Sequence, residues 1–218
     1  MNNISSLNRN HDEAVFLGCG PSINNLNESK LNGKDVWSSN NFYLHKSIVP
    51  DFLHLELKEH RTGPTARKVI SEKRELYRNT NWILNSNRDY LLDAVKPEWF
   101  KKIYRYDPNK IKVQINSSIT IILQIMASLG YKKIYFAGVD LYDSRYFWSD
   151  NPDYDWLKEF APLMVTAKPD ERSPKDIHPN MVKANMAEWI TGFLDYNKII
   201  GVNLSSESLL SKYLRNEL

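Results

Sequence analysis

The chain has 218 residues, of which 42% are hydrophobic and 25% charged, with a formal net charge of +3. That length suits one globular domain, or one domain plus a small subdomain, and the mild basicity fits a phosphorylated or acidic substrate or an anionic membrane surface while being too slight for nucleic acid. The single cysteine, Cys19, excludes an intrachain disulfide framework and fits a reducing compartment, and no apolar run reaches the ~18 residues of a membrane span.

The polar, asparagine-rich segment 1–13 lacks the apolar stretch of a secretory signal and is expected to be a flexible leader of a cytoplasmic protein. A single domain over 14–218 follows. Ala14–Gly18 predicts a buried strand, Pro21–Leu26 a short helical opening and Asp35–Ser39 a second strand. Asp51–Leu57 alternates in character and predicts a third strand, Pro64–Tyr77 a basic helix, and Trp82–Leu84 a fourth strand. Ser117 or Ser118 fits the N-cap of an apolar helix over Ile119–Leu129, with Gly130 at its stop position. Lys133–Gly138 predicts another buried strand. The stretch from Phe147 to Lys175, rich in Asp, Pro, Ser and Trp, has no sustained period and predicts a lid loop over 147–177. Asn180–Tyr196 predicts a helix, Ile199–Leu204 a last strand and Ser206–Arg215 an amphipathic helix. Leu209, Leu210 and Leu214 of that last segment allow either membrane contact or core packing. Strands alternating with helices predict an α/β fold with a parallel sheet of the nucleotide-binding type.

Gly18, Cys19, Gly20, Pro21 and Ser22 follow the first strand. A glycine-rich turn opening a helix presents unpaired N–H groups to a phosphate, and the Ser22 hydroxyl is a further donor. The turn is neither Gly-x-Gly-x-x-Gly nor a P-loop, so a plain structural turn is the competing reading. Asn40 and Asn41 close the second strand, where amide side chains can bond a ribose or a base edge, or simply make a turn. Ser117 and Ser118 either cap a helix or meet an anion. Gly138 and Asp140, with Tyr142 and Tyr146 beyond, lie at the mouth of a buried strand, where open α/β sheets gather ligands. A tyrosine hydroxyl there can donate to a departing phosphate. His178 stands apart from the other four histidines; an imidazole takes a proton near neutral pH, and Pro179 at a helix start helps to aim it. Asp153 and Asp155 form an Asp-x-Asp that could chelate a divalent ion. No Cys cluster or His-x-x-x-His pair supports a metal.

The ordered set Gly18-Cys19-Gly20-Pro21-Ser22, Asn40-Asn41-Phe42-Tyr43, Ser117-Ser118, Leu129-Gly130-Tyr131, Gly138-Val139-Asp140-Leu141-Tyr142, His178 and Ser208-Leu209-Leu210 resembles the bacterial sialyltransferases of glycosyltransferase family 42. The resemblance implies a Rossmann-like domain of variant GT-A type with a small lid. It implies inverting, metal-independent transfer of a sialic acid-like or Kdo-like keto sugar from a CMP donor to a glycan or glycolipid hydroxyl, in lipopolysaccharide or capsule assembly. No cofactor is required and no nucleic acid is bound; peripheral contact with the inner membrane face and homo-oligomerisation are both compatible with it. Asn40 and Ser118 would then hold the donor, Ser22 would lie near the phosphate, Tyr142 and Tyr146 would stabilise the leaving group, and His178 would be the general base. Asp140 would shape the site. Three positions depart from the pattern: Cys19 stands where the family carries Asn, Ile115 where it carries Arg, and Pro174-Lys175 where it carries Tyr. A metal-dependent NDP-sugar transferase using Asp153 and Asp155, and a non-catalytic nucleotide- or glycan-binding protein, are the alternatives.

Overall fold

A computed structural model describes residues 1–56, 63–111, 117–141, 145–160 and 183–217. In chain order the strands are β1 (Asn2–Asn3), β2 (Glu13–Leu17), β3 (Asp35–Ser39), β4 (Phe52–Leu55), β5 (Asn81–Asn85), β6 (Ile103–Tyr106), β7 (Lys133–Ala137), β8 (Ile200–Asn203) and β9 (Arg215–Asn216). The α-helices are α1 (Gly63–Glu72), α2 (Ser118–Ser128), α3 (Trp156–Phe160) and α4 (Lys183–Tyr196). They fall into two compact units, Met1–Asn10 with Asp35–Leu129, and His11–Lys34 with Gly130–Leu218.

In the first unit the strand order is β1-β6-β5-β4-β3, all parallel. Parallel strands require crossovers and are covered on both faces, so they read as continuous apolar runs rather than alternating ones. Accordingly Phe52, Leu53, His54 and Leu55 of β4 are all fully buried, and Trp37 lies flat on Phe52 at 4.3 Å. Trp82 packs between Tyr77 and Phe100 at 5.4 and 5.1 Å. Ser117, with φ −142° and ψ 153°, is the N-cap of α2, and its N–H donates to Thr120 Oγ1 at 3.3 Å. Ser118 is therefore the first helical residue. Gly130 follows the helix at φ +77°, the left-handed stop that glycine adopts without a Cβ penalty.

The second unit is ordered β2-β7-β8-β9, again parallel, with Val15 paired to Tyr135 and Tyr135 to Val202. Phe16 and Phe136 meet at 6.4 Å within its core, and Ile190 and Leu194 of α4 are buried. The architecture is α/β and Rossmann-like, as expected from the alternation of strands and helices.

Several local expectations are corrected. Segment 1–13 carries β1, which pairs with β6; Leu7 is buried, and Asn10 donates through its main chain and its side chain to Asp35. These are non-local contacts that a polar segment does not advertise. The third strand stops at Leu55, and β6 emerges from a stretch without evident pattern. α1 ends at Glu72, after which Lys73 donates to the carbonyls of Tyr43 and His45 at 3.3 and 3.0 Å. The final amphipathic helix is absent: Leu209–Lys212 is one 3₁₀ turn followed by β9. Tertiary bonds win there, because Ser208 Oγ donates to the Val139 carbonyl at 2.6 Å and Leu209 N–H to the Asp140 carbonyl at 3.0 Å. Leu210 is fully buried, which places it in the core. Within the expected lid, the described part forms a turn near 147–150, a 3₁₀ turn at Pro152–Tyr154 and α3; residues 161–177 lie outside the described residues.

Candidate functional site

In the first unit, polar side chains line up at the carboxyl ends of neighbouring strands, where α/β sheets bind ligands. Asn40 follows β3 in the left-handed region, φ +50°. Asparagine tolerates that conformation better than most residues. Its side chain is held at both ends: Nδ2 donates to Ser118 Oγ at 2.8 Å, and Oδ1 accepts the Glu56 N–H at 2.8 Å. Ser118 Oγ, acting as acceptor here, keeps its own proton to donate elsewhere. Asn41 Oδ1 is sequestered from solvent and has no hydrogen-bond partner among the described residues.

The line continues past Asn40. Glu56 Oε1 lies 3.4 Å from Asn85 Nδ2 and 3.4 Å from an Arg88 guanidinium nitrogen. Arg88 also donates to the Tyr90 hydroxyl at 3.1 Å. Beneath them the His54 ring nitrogen Nε2 is hydrogen-bonded to the Tyr106 hydroxyl at 2.9 Å. Burial, with Arg88 adding to it, pushes His54 down to about 3, and burial raises the Tyr106 phenol, so both are neutral at physiological pH. Glu56, Asn85 and Arg88 were not singled out as site residues from the sequence; Glu56 falls inside the predicted third strand, and Asn85 and Arg88 follow the predicted fourth.

In the second unit, the glycine turn packs onto the end of β7. Gly18 N–H donates to the Ala137 carbonyl and Gly20 N–H to the Gly138 carbonyl, both at 2.8 Å. The expected helix opening is a 3₁₀ turn over Pro21–Asn25. Its donors are already committed, since Ser22 N–H donates to Asp140 Oδ2 at 3.0 Å and the Ser22 hydroxyl to Asp140 Oδ1. The anion that this turn holds is thus the chain's own carboxylate. Ser22 and Asp140 are 5% and 2% exposed, and the Ser22 hydroxyl expected near a phosphate is bonded to Asp140. Asp140→Ala leaves a buried N–H and hydroxyl without their acceptor and is expected to destabilise the fold by about 2 kcal/mol in urea titration. An unchanged midpoint would show that Ser22 needs no acceptor there.

Desolvation pushes the Cys19 thiol up to about 12, so it is a neutral thiol at physiological pH. The Cys19 carbonyl accepts the Phe147 N–H at 2.9 Å, which ties the glycine turn to the segment carrying Tyr146. Tyr146 is half-buried, its ring parallel to that of Trp148 at 4.4 Å. Tyr142 and His178 lie outside the described residues. Asp153 and Asp155 flank the buried Tyr154 on the surface, and Asp155 pairs with Lys158 at 2.5 Å. Among the described residues no three His, Cys, Asp or Glu side chains are grouped to hold a metal ion, and no helix is long and apolar enough to cross a membrane.

In open parallel α/β folds ligands bind at the carboxyl ends of the strands, where these polar groups are gathered. Among solved structures, the chain is similar to the monofunctional alpha-2,3-sialyltransferase Cst-I from Campylobacter jejuni. The TM-score is 0.60 at 17% identity, over 97% of this chain and 82% of that one. It is similar also to a point variant of the sialyltransferase Cst-II in complex with CMP, TM-score 0.60 at 18% identity, over 93% of this chain and 85% of that one. Cst-II in complex with a trisaccharide acceptor and CMP matches at TM-score 0.57 and 18% identity, over 94% and 85%. The fold is that of these sialyltransferases over nearly its full length. No protein-family model matches the chain, and no curated protein sequence matches it significantly.

Proposed function

We propose that this chain is an inverting, metal-independent glycosyltransferase that moves a keto sugar from a CMP donor to a glycan hydroxyl. The observation that carries this reading is the near-full-length likeness to sialyltransferases solved with CMP. In the reaction, the acceptor oxygen bonds to the anomeric carbon of the donor, the bond from that carbon to the phosphate oxygen breaks, and CMP departs. His178 takes the proton of the acceptor hydroxyl. Tyr142 and Tyr146 donate to the departing phosphate, a form of electrostatic stabilisation that adds no charge of their own. Asn40 and Ser118 hold the donor, Ser118 through the hydroxyl proton that Asn40 leaves to it. Gly18, Cys19, Gly20, Pro21, Gly138 and Asp140 shape the donor's surroundings, with Ser22 braced against Asp140. A tertiary keto-sugar centre ionises readily, so orientation and neutralisation of the phosphate carry most of the work.

A thermal-shift panel tests the reading. CMP is expected to raise the melting temperature more than UDP or GDP, and EDTA to leave both the shift and the turnover of a CMP-keto sugar unchanged. His178→Ala is expected to lower turnover about 100-fold while leaving the CMP shift in place. Absence of a CMP shift together with full turnover by the His178 variant would sink the proposal. Activity lost in EDTA and rescued by Mn²⁺ would instead favour the metal-dependent reading through Asp153 and Asp155. CMP binding without turnover across donors and acceptors would favour a binding protein.

A further inference from the structure

The main chain around Tyr146 is pinned at several points. The Tyr146 N–H donates to Ser149 Oγ at 3.1 Å, and the Ser149 N–H returns to the Tyr146 carbonyl at 2.8 Å, closing a tight turn. The next residue, Phe147, donates its N–H to the Cys19 carbonyl at 2.9 Å and accepts Asn24 Nδ2 on its own carbonyl at 2.9 Å. The Phe147 ring is buried edge-on against Trp148 at 4.8 Å and against Tyr154 at 5.5 Å. With the backbone so held, the remaining freedom at residue 146 lies in its two side-chain torsions. A half-exposed tyrosine would ordinarily sample several rotamers.

The Tyr146 ring stacks on that of Trp148. The two rings are 7° from parallel with centroids 4.4 Å apart, and the indole is itself only 3% exposed. It is a rigid wall: Phe147 backs it, and the turn that places it two residues after Tyr146 is closed by hydrogen bonds. Stacked aromatic pairs are favoured beyond their buried area, enough to prefer one ring orientation several-fold over the others. We infer that Trp148 is a positioning residue, which fixes the ring of Tyr146 so that its hydroxyl meets the phosphate of a CMP-sugar donor without further ordering. The inference rests on the role given above to Tyr146. It assigns to Trp148 no contact with the substrate.

The test uses the whole chain with Trp148→Leu, Trp148→Phe, Tyr146→Phe and the double variant Trp148→Leu/Tyr146→Phe. Trp148→Leu is expected to lower kcat about tenfold with the donor KM within about twofold, and Trp148→Phe, which keeps a stacking ring, to retain at least about half of kcat. In the Tyr146→Phe background Trp148→Leu is expected to cost nothing more, because the hydroxyl it positions is gone. An equal loss in both backgrounds makes Trp148 merely structural and overturns the inference, leaving the reading of the reaction intact. Tyr146→Phe with undiminished turnover removes Tyr146 from the reaction instead. A readout independent of turnover is the NMR order parameter of the ¹³C-labelled Tyr146 ring, assigned by its loss in Tyr146→Phe. It is expected to fall in Trp148→Leu relative to the wild-type chain. A Tyr146 ring that stays rigid without the indole overturns the inference whatever the enzyme turns over.

Discussion

Acidification from pH 7 to pH 4 is expected to destabilise the wild-type chain markedly more than a His54→Gln variant. His54 is fully buried on β4 and is pushed down to about 3, first by desolvation and then by Arg88. In the unfolded chain the imidazole titrates near about 6.5. Between these values the unfolded state binds a proton that the folded state refuses, so stability falls as pH drops through about 6.5 and goes on falling toward about 3. The slope approaches about 1.4 kcal/mol per pH unit, on the order of 4–5 kcal/mol over the whole window. Above the unfolded value the effect vanishes. Glutamine can still bond the Tyr106 hydroxyl but cannot titrate. Urea titrations at pH 7.5, 6, 5 and 4 should therefore show the stability difference between wild type and variant shifting in favour of the variant as pH falls. Parallel profiles would mean that His54 accepts a proton in the folded chain. His54 lies two residues before Glu56, whose N–H donates to Asn40 Oδ1 at 2.8 Å.

Gly18→Ala is expected to cost about 3 kcal/mol of stability, at the upper end of what overpacking ordinarily costs. A Cβ at Gly18 would lie 2.7 Å from the carbonyl carbon of Gly138 and 3.1 Å from Val139 Cγ2. The obstacle is backbone. It cannot recede without stretching the hydrogen bonds from Gly18 to Ala137 and from Gly20 to Gly138, each 2.8 Å. Gly33→Ala is the control: a Cβ there meets nothing within 4 Å, and only its φ of +71° opposes the change. That conformation costs an L-residue about 1–2 kcal/mol. Equal losses for the two variants in urea titration would refute the close approach of β2 and β7 at the turn.

The close packing at Gly18 gives the glycine turn a structural cause. From the sequence, Gly18-Cys19-Gly20-Pro21-Ser22 looked like a cradle for a phosphate. The structure gives its glycines a nearer cause in the passage of β7 and its donors a nearer partner in Asp140. Ser22 and Asp140 are 118 positions apart, and nothing local to either marks the pair. The same holds for Asn40 and Ser118, which are 78 positions apart and 2.8 Å from each other. Each was singled out for its place at an element's end; that the two are bonded to one another was not legible. Trp148 escaped notice for a related reason, since a tryptophan in a patternless stretch gives no hint of the ring it will face.

What the sequence determined by itself is the set of elements whose signals are local. β3 spans the predicted Asp35–Ser39, α2 begins and ends at its serine cap and its glycine, and β7 is the predicted apolar run. Hydrophobic periodicity and end signals act within a few residues, so they survive into the fold unchanged. Only the tertiary structure decided the rest: the pairing of Asn2–Asn3 with β6, the conversion of the C-terminal segment from helix to 3₁₀ turn and strand, and the pairing of Ser22 with Asp140 and of Asn40 with Ser118. A buried donor or acceptor must be satisfied, but many partners can satisfy it. Which one does so depends on what the folded chain brings within about 3 Å, and that distance is not a property of any segment read alone.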